Sequence, residues 1–568
     1  MHQSTSTCAK RPRLPVDNND RIEKFFNLIK INMSDKIFID ACVKLVTVNA
    51  RPFSIFDDSG MKDIIDPIMN AIKVTVNRTN IKDYVRNKAT EIKNTIKSEI
   101  HNKLISIKIE SATRLGRSII GINAQYIQNQ KIILRTLDMH EVENRQTGLY
   151  IKNVIIKVLE SFDLKLHQIY SITSDSGRNM LKAAEFLMNE FQISDSDEEL
   201  CDENATLFED EDYVLATLHP NIIHIKCVAH TVQLAVQDTL SSSSCIKNNI
   251  DQIRKVCKKL RTPNMTNLAK KINLRKAILD CPTRWNSTYN MILRLLDYKT
   301  FCFDVMDPEF TLNDEAWEFC SIFIKVFTPV EKLTLKLQNE QMNFGDFYGL
   351  WLQFKQDLQN LKFESVLAAN LYANVILREN NFITSKLLNV AIYMDPRFKL
   401  MLNDIQIVEA KAQIFKTIKI LNNIQGNSID IATCIIDTST SSLDEGEDEL
   451  EKLLQSRENT HQKVSQKNNS YNNVETAINN EIQVYENIPR ISKEKNLIEF
   501  WEKHKLKMPL LYQAAQIILA VPATQVSVER AFSALKIVLS EQRAQLTTES
   551  LKNILFIKLN ENFFNKNI

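Results

Sequence analysis

Three acidic residues of this 568-residue chain could supply the side chains that metal-dependent phosphodiester cleavage requires. Glu110 ends a stretch in which isoleucine alternates with polar residues, and Asp175 closely follows a second apolar stretch. Glu529 lies much later, in a segment whose apolar residues recur at helical spacing. Cleavage by two metal ions needs carboxylates that converge on Mg²⁺ ions about 3.5–4 Å apart. Any one of these acids alone would be an ordinary surface carboxylate, so the hypothesis rests on the set and its order.

Alternation of apolar and polar residues predicts the β-strands that would position the first two acids. Three strands follow closely on one another, at residues 105–109, 120–126 and 132–137. Two more, at 169–173 and 222–225, each lead into a predicted helix. A meander followed by βα units is the order of an RNase H-like sheet. The sequence therefore predicts an α/β fold with an RNase H-like core.

Shifts in composition and periodicity divide the chain further. The core is expected to be interrupted by a large, mainly helical insertion and completed by the C-terminal region. The predicted segments are a basic disordered tail at 1–30, an N-terminal helical region at 31–100, the first part of the core at 101–290 with an acidic disordered loop at 193–212, a helical insertion at 291–436, an acidic and polar linker at 437–480, and the end of the core with a helical dimerisation region at 481–568.

The charge of the chain does not by itself indicate a nucleic-acid-binding protein. Its formal net charge is +2, so a DNA-binding surface would have to arise from local segregation of charge. A basic stretch between Arg254 and Lys276 could follow a phosphate backbone in this way. A solvated helix face accounts for the same pattern, and the sequence leaves both interpretations open.

Cysteine usage and hydropathy indicate the compartment. The ten cysteines include no Cys-x-x-Cys pair, which is typical of a reducing environment. No apolar run is long enough to span a bilayer, so we expect no membrane association. The cluster Lys10-Arg11-Pro12-Arg13 is typical of a nuclear localisation signal, although such clusters also occur in tails without function. We expect a nuclear protein.

Two of the acidic segments resemble those of hAT-superfamily transposases. The segment Ser-Val-Glu529-Arg-Ala-Phe-Ser resembles the one that carries the catalytic glutamate of the family, and Ser-Ile-Thr-Ser-Asp175-Ser-Gly resembles the one with the second catalytic aspartate. The resemblance implies that Glu110, Asp175 and Glu529 are catalytic residues and ligands of Mg²⁺ or Mn²⁺ in an active enzyme. It covers roughly residues 35–563.

Two further segments of the same resemblance imply contacts with DNA. The pair Arg284-Trp285 resembles residues that contact or stack on DNA in the family, whereas a tryptophan before a helix is more commonly part of a core. Cys227-Val-Ala-His230 resembles the Cys-x-x-His motif of the family, which implies that His230 faces DNA or packs near the active site. A buried cysteine with a partly buried histidine accounts for the same motif. Cys227 and His230 could also bind a metal, but two ligands make half a zinc site, so zinc is not expected.

Three departures from the family pattern bear on activity and recognition. Glu110 stands where the family has aspartate, and the extra methylene moves the carboxylate by about 1.5 Å, one C–C bond. Gln146 replaces an expected histidine. Related transposases often begin with a BED-type zinc finger, but Cys8 and Cys42 have no partners at metal-ligand spacing. These departures predict weak or lost catalysis and no evident sequence-reading module.

The C-terminal stretch 521–563 contains two amphipathic helical patterns joined by a short polar link, which favours a helical hairpin. Its resemblance to the hAT dimerisation region implies a homodimer or a higher oligomer. The first hypothesis is therefore a nuclear, transposase-derived protein that dimerises and binds DNA. An active Mg²⁺-dependent DNA transposase is the second, and a dimeric scaffold that does not bind DNA is the third.

Overall fold

A computed structural model of the protein describes the greater part of the chain, namely residues 32–143, 145–175, 177–189, 222–281, 285–426, 474–540, 543 and 545–567. The chain divides into two compact units after Asn87. The predicted tail at 1–30 and acidic loop at 193–212 lie outside the described residues, as does most of the predicted linker. Among the described residues, no helix is long and apolar enough to cross a lipid bilayer.

The described part of the first unit is helical, as the sequence predicts for residues 31–100. Helix α1 covers Asp35–Val46, helix α2 covers Ser59–Ile72, and helix α3 (Ile81–Ile100) begins in this unit and ends in the second. The Ser34 side chain accepts the Ile37 N–H and so caps the start of α1. Phe38, Cys42 and Val46 recur at helical spacing in α1 and are buried, and Phe56 of a short 3₁₀ helix (Phe53–Asp57) is buried as well.

A five-stranded mixed sheet forms the centre of the second unit. Its strands are β1 (Ile105–Arg114), β2 (Arg117–Gln128), β3 (Lys131–Glu141), β4 (Ile169–Ser174) and β5 (Ile223–Lys226), in the spatial order β3-β2-β1-β4-β5. The first three strands pair antiparallel, whereas β1, β4 and β5 run parallel. All five predicted strands are confirmed, and so is the α/β character of the fold.

Helices of the second unit follow the strands in the predicted order. Those around and after the last two strands are α4 (Gly148–Ser161), α5 (Arg178–Asn189), α6 (Val228–Ser241), α7 (Ser244–Leu260) and α8 (Pro263–Lys271). The predicted helical insertion contains the second half of α9 (Trp285–Leu296), then α10 (Lys299–Val305), α11 (Asp314–Leu337), α12 (Phe344–Leu361), α13 (Val366–Ile383), α14 (Lys386–Tyr393) and α15 (Asp404–Gln425). Its core is rich in aromatic side chains, including Trp317, Phe323, Phe327, Trp351 and Phe354.

The last residues of the predicted linker form a helix, which the sequence analysis did not predict. Residues 474–486 are helical, because Ile478, Ile482 and Tyr485 recur at fourth and third positions and are buried. The Lys399 ammonium lies at the end of this helix, where it donates to the carbonyls of Tyr485, Glu486 and Ile488 at 2.7–3.1 Å. A cation at a helix C-terminus satisfies carbonyls that have no partner within the helix.

Four α-helices follow among the described residues: α16 (Leu497–His504), α17 (Pro509–Ile518), α18 (Val526–Val538) and α19 (Thr548–Leu559). A 3₁₀ helix, Glu561–Asn567, comes after them. Helix α18 packs against β1 and β2, and α19 packs against β3 and α18. The apolar stripes that predict a hairpin are therefore covered by the sheet of the same chain, with Leu535, Leu551, Ile554 and Leu555 all buried. This arrangement restricts which faces of the hairpin remain for a second copy.

Side-chain amides cover the free edge of the sheet at β3. Asn560, just after α19, donates from Nδ2 to the Thr136 carbonyl (2.9 Å), and its Oδ1 accepts the Thr136 N–H (3.2 Å). Gln341 makes the same pair of hydrogen bonds with Ile132, each at 3.0 Å. Because both residues imitate a neighbouring strand, they reduce the capacity of this edge to pair with another chain.

Candidate functional site

The register of two parallel strands places the first two candidate acids side by side. Ile109 of β1 is paired with Ser174 of β4. Glu110 and Asp175 are the residues that directly follow this pair in the two neighbouring segments. Adjacent strands lie about 4.8 Å apart. Both side chains are partly exposed and lie where the parallel pairing of β1 with β4 ends. Open α/β sheets commonly bind ligands beyond the carboxyl ends of their parallel strands.

The third acid lies on a helix that packs against the same sheet. Glu529 belongs to α18, which packs on β1 and β2, while its side chain lies outside the described part of the structure. Three hydrogen bonds hold the preceding segment against the sheet and α6: Gln125 Nε2 to the Ala520 carbonyl (2.7 Å), Thr173 Oγ1 to the Pro522 carbonyl (2.8 Å), and Val228 N to the Ala523 carbonyl (3.0 Å). These hydrogen bonds join residues 295–395 positions apart in sequence and hold the segment before α18 against β2, β4 and α6.

A tight turn presents Asp175. Its Oδ1 accepts the Gly177 N–H at 3.0 Å, an Asx-type interaction that stabilises a turn. Just before it, the Ser174 hydroxyl lies 2.9 Å from Nε2 of His224 on β5. After it, Asn179 Nδ2 donates to the Gln146 carbonyl at 2.6 Å. Gln146, which replaces the histidine expected from the family, therefore contributes its backbone to the same region.

His224 is held in its neutral form. Burial lowers its pKa to about 4, and the neighbouring Lys226 ammonium acts in the same direction. A neutral imidazole ring can form a hydrogen bond with the Ser174 hydroxyl, and this bond holds the end of β4 in place. Sequence reasoning missed this residue, and its only signal was a histidine within a short predicted strand.

His224 should make the stability of the second unit depend on pH. The unfolded chain binds a proton at this histidine below about pH 6.5, whereas the folded chain does so only near pH 4. The contribution is therefore present above pH 6.5 and is lost as the pH falls towards 4. Between pH 7 and pH 5 it amounts to about 2 kcal/mol.

The variant His224→Gln keeps a hydrogen-bonding group but removes the titration, so its stability should fall less on acidification. Urea denaturation at pH 7 and pH 5, followed by tryptophan fluorescence, measures this difference. Equal losses for the native protein and the variant would contradict the assignment, since other histidines whose pKa burial lowers, such as His140 and His167, would then account for the slope.

The Cys-x-x-His motif occupies the start of α6 beside Asp175. Cys227 is fully buried, donates its N–H to the Ser174 carbonyl (2.8 Å), and accepts the Gln525 N–H at its sulfur (3.4 Å). Burial lowers the pKa of His230, the Asp175 carboxylate opposes that change, and the Arg378 guanidinium of α13 adds to it. Cys227 thus joins β4 to the segment before α18, while His230 shares the electrostatic environment of Asp175.

The predicted metal site includes Glu529, whose side chain lies outside the described part of the structure. Among the described side chains, no group of three or more His, Cys, Asp or Glu residues lies close enough together to hold a metal ion. Glu110 and Asp175 supply two carboxylates from adjacent strands, and oxygen ligands suit Mg²⁺ or Mn²⁺. Their assignment as metal ligands with Glu529, and the weaker one for Cys227 with His230, stay predictions.

Of the predicted DNA-contacting pair, the structure describes Trp285 but not Arg284. Trp285, the first residue of α9, is 7% exposed, and its ring packs against Tyr289 and Phe327 at centroid distances of 6.4 and 6.2 Å. The structure therefore gives Trp285 a packing role, as the core alternative expects, and stacking on DNA stays a prediction.

Comparison with known proteins identifies two regions. Residues 481–561 match the hAT family C-terminal dimerisation region, and residues 225–326 match the ZBED1 RNase-like helical domain. A putative transcriptional regulator, tpeD, of Talaromyces stipitatus is 21% identical over 94% of this chain and 63% of its own length. The putative AC transposase of Zea mays is 20% identical over 98% of this chain and 69% of its own length.

A third relative, zinc finger BED domain-containing protein 4 of Homo sapiens, is 19% identical over 35% of this chain. The matches cover 63%, 69% and 18% of the lengths of these three proteins, respectively. The two matched regions include three of the segments that carry the resemblance in the sequence, namely the Cys-x-x-His motif, Trp285 and Glu529, whereas the Asp175 segment lies outside both. The chain is therefore a relative of the hAT transposases and zinc finger BED proteins, and it carries the hAT C-terminal dimerisation region.

Proposed function

We propose that this chain is a transposase-derived nuclear protein that binds DNA as a dimer or higher oligomer and has weak or lost cleavage activity. The observation that carries the proposal is the convergence of β1, β4 and α18, the elements with Glu110, Asp175 and Glu529, at one region of the sheet. We assign the sheet to an RNase H-like core. In this proposal, Mg²⁺ or Mn²⁺ bound by the three acids would activate water for phosphodiester cleavage.

The weakness of cleavage in this proposal follows from Glu110. Its backbone is fixed by pairing with Gly121 of β2, and the preceding residue is paired with β4. The extra methylene must therefore be accommodated by the side chain alone. Mg²⁺ demands near-octahedral geometry, so a carboxylate displaced by about 1.5 Å binds the ion poorly. The basic residues at the surface of α7 and α8 support DNA binding in spite of this change.

The dimer contact in this proposal uses the outer surface of residues 481–561. The apolar stripes of α18 and α19 are buried against the sheet, so they are not available to a second copy unless the protomer opens. Within the matched region, the described apolar side chains that remain exposed are Val484, Leu506 and Ile537. We assign the contact to this outer surface.

An active transposase is the second candidate. Names of relatives favour it, since one is a putative AC transposase and another is the transposable element Hobo transposase of Drosophila melanogaster. The placement of Asp175 next to Glu110 favours it as well. The two candidates differ only in whether the site cleaves DNA, so one assay separates them.

The test measures both binding and nicking of duplex DNA by the native protein and by Asp175→Asn. We expect binding that weakens as salt increases and little or no nicking with Mg²⁺ or Mn²⁺ in either protein. Robust native nicking that Asp175→Asn abolishes would replace the proposal with the active transposase. Absence of DNA binding at low salt, with self-association intact in sedimentation, would instead establish the scaffold.

A further inference from the structure

One short region of the second unit carries a large local excess of positive charge. Residues 244–279 contain ten lysines or arginines but one acid, Asp251, although the whole chain carries a formal net charge of only +2. The remainder of the chain is therefore net negative. This region corresponds to α7, α8 and the segment that leads to α9, all of which the structure describes up to residue 281.

Contacts divide these cations into two groups. Arg254 bonds to the carboxylates of Asp280 and Asp251 at 2.7–3.1 Å, and Lys259 lies 4.3 Å above the Phe310 ring. These two side chains therefore serve internal contacts. Arg275 lies 3.6 Å from the Asp297 carboxylate, so it also has an internal partner. The other seven are exposed and have no ion pair or cation–π contact within the described part of the chain. We call six of these, all except Lys247 near the start of α7, the cationic face: Lys255, Lys258, Arg261, Lys270, Lys271 and Lys276.

The backbone that carries the cationic face is held in place by packing and hydrogen bonds. Helix α7 buries Ile246, Ile250, Ile253 and Leu260 along one stripe, which leaves its lysines on the solvent side. The segment after α8 is held by hydrogen bonds, since Tyr298 OH donates to the Arg275 carbonyl (2.7 Å) and Arg294 Nη1 of α9 donates to the Lys276 carbonyl (3.2 Å). The charges thus project from a preorganised surface.

Chemistry of the cationic face points to phosphates as its ligands. A solvated helix face usually mixes charges of both signs, because opposite charges at third and fourth positions stabilise the helix. Here nearly all the charges are positive and repel one another, so they do not stabilise the folded protein. A bound polyanion would offset this repulsion. Five of the six are lysines, which act as point charges for phosphate and do not read base edges in the paired geometry that arginine uses.

We propose that the cationic face is a sequence-independent binding surface for the phosphate backbone of duplex DNA. This inference rests on the proposed DNA-binding function and specifies where it resides. Each lysine that neutralises a phosphate releases counterions, which lowers the logarithm of the binding constant by about 0.9 per tenfold increase in salt. The cationic face therefore makes a defined contribution to the salt dependence of binding.

The test uses the full chain, two 30-base-pair duplexes of unrelated sequence, and binding measured by fluorescence anisotropy at several salt concentrations. In the test variant Lys258, Lys270 and Lys271 are changed to glutamine. In the control variant three exposed lysines elsewhere, Lys332, Lys336 and Lys493, are changed in the same way. We expect the test variant to lose about 2–3 from the salt slope and to bind both duplexes at least about tenfold more weakly at 0.1 M salt.

Circular dichroism establishes that both variants are folded. The inference is overturned if the native protein binds DNA while the test variant keeps its salt slope, or if the control variant loses as much as the test variant. It is also overturned if the loss occurs on one duplex alone, since that outcome indicates base recognition. Failure of the native protein to bind either duplex is a different result, because it contradicts the proposed function itself.

Discussion

The change Glu110→Asp should increase Mg²⁺-dependent nicking of duplex DNA by about 10- to 100-fold over the native protein. A misplacement of about 1 Å in a reacting group can reduce catalysis about 100-fold, and the shorter side chain withdraws the carboxylate by about 1.5 Å. The backbone at this position is fixed by β2 and follows a residue paired with Ser174 of β4. The shorter side chain therefore restores the aspartate that the family pattern expects without moving the strand.

Two further variants make this prediction specific. Glu110→Gln keeps the length of the native side chain but removes the charge, so it should remain as inactive as the native protein. Glu110→Asp combined with Asp175→Asn should lose whatever activity the first change restores. If Glu110→Asp leaves nicking unchanged while DNA binding persists, the extra methylene is not the reason for weak cleavage.

Replacing Arg397 by leucine should lower the free energy of unfolding of the second unit by about 3–5 kcal/mol. Arg397 is buried and bonds through Nη2 to the carboxylates of Asp395 (2.7 Å) and Asp346 (2.8 Å) and through Nη1 to the Lys495 carbonyl (3.1 Å). Asp395 is fully buried, and burial raises its pKa even though Arg397 opposes that change. Removal of the arginine leaves this carboxyl group without its cation in a low-dielectric site.

Urea denaturation followed by the fluorescence of the buried Trp351 and Trp501 measures this loss. The exposed Arg490 provides a matched control, and Arg490→Leu should change stability by no more than about 0.5 kcal/mol. The double variant Asp395→Asn with Arg397→Leu should lose less than the sum of the two single variants, since no unpaired charge is left behind. A loss below about 1 kcal/mol for Arg397→Leu would show that water reaches this site.

Much of the fold could be predicted because its strands have a simple pattern. Ile105, Ile107 and Ile109 alternate with polar residues, and the structure places them in β1 with the isoleucines buried. The helical nature of the insertion also followed from periodicity. The helix at 474–486 was missed because a polar composition outweighed a short apolar repeat, and composition does not reveal that Tyr485 packs against Trp501 at a centroid distance of 5.3 Å.

The candidate site was predictable in its acids but not in the contacts around them. Asp175 and Glu529 lie in recognisable sequence motifs, whereas no motif in the sequence indicates a role for His224 or Arg378. Both residues are far in sequence from the groups they affect but close to them in the fold. His224 approaches Ser174 from the neighbouring strand, and Arg378 lowers the pKa of His230 from a helix about 150 residues away in sequence. Such contacts depend on strand order and helix packing, which a single sequence does not specify.

By itself, the sequence determined the order of strands and helices, the family resemblance, and the concentration of basic residues between 244 and 279. Tertiary structure decided how each of these patterns is used. It covered the apolar stripes of α18 and α19 with the sheet of the same chain, enclosed Trp285 among aromatic rings, and separated internally paired Arg254 from the exposed cationic face. The physical reason is that periodicity identifies an apolar or charged face, whereas only the packed fold determines whether protein, solvent or a partner covers it.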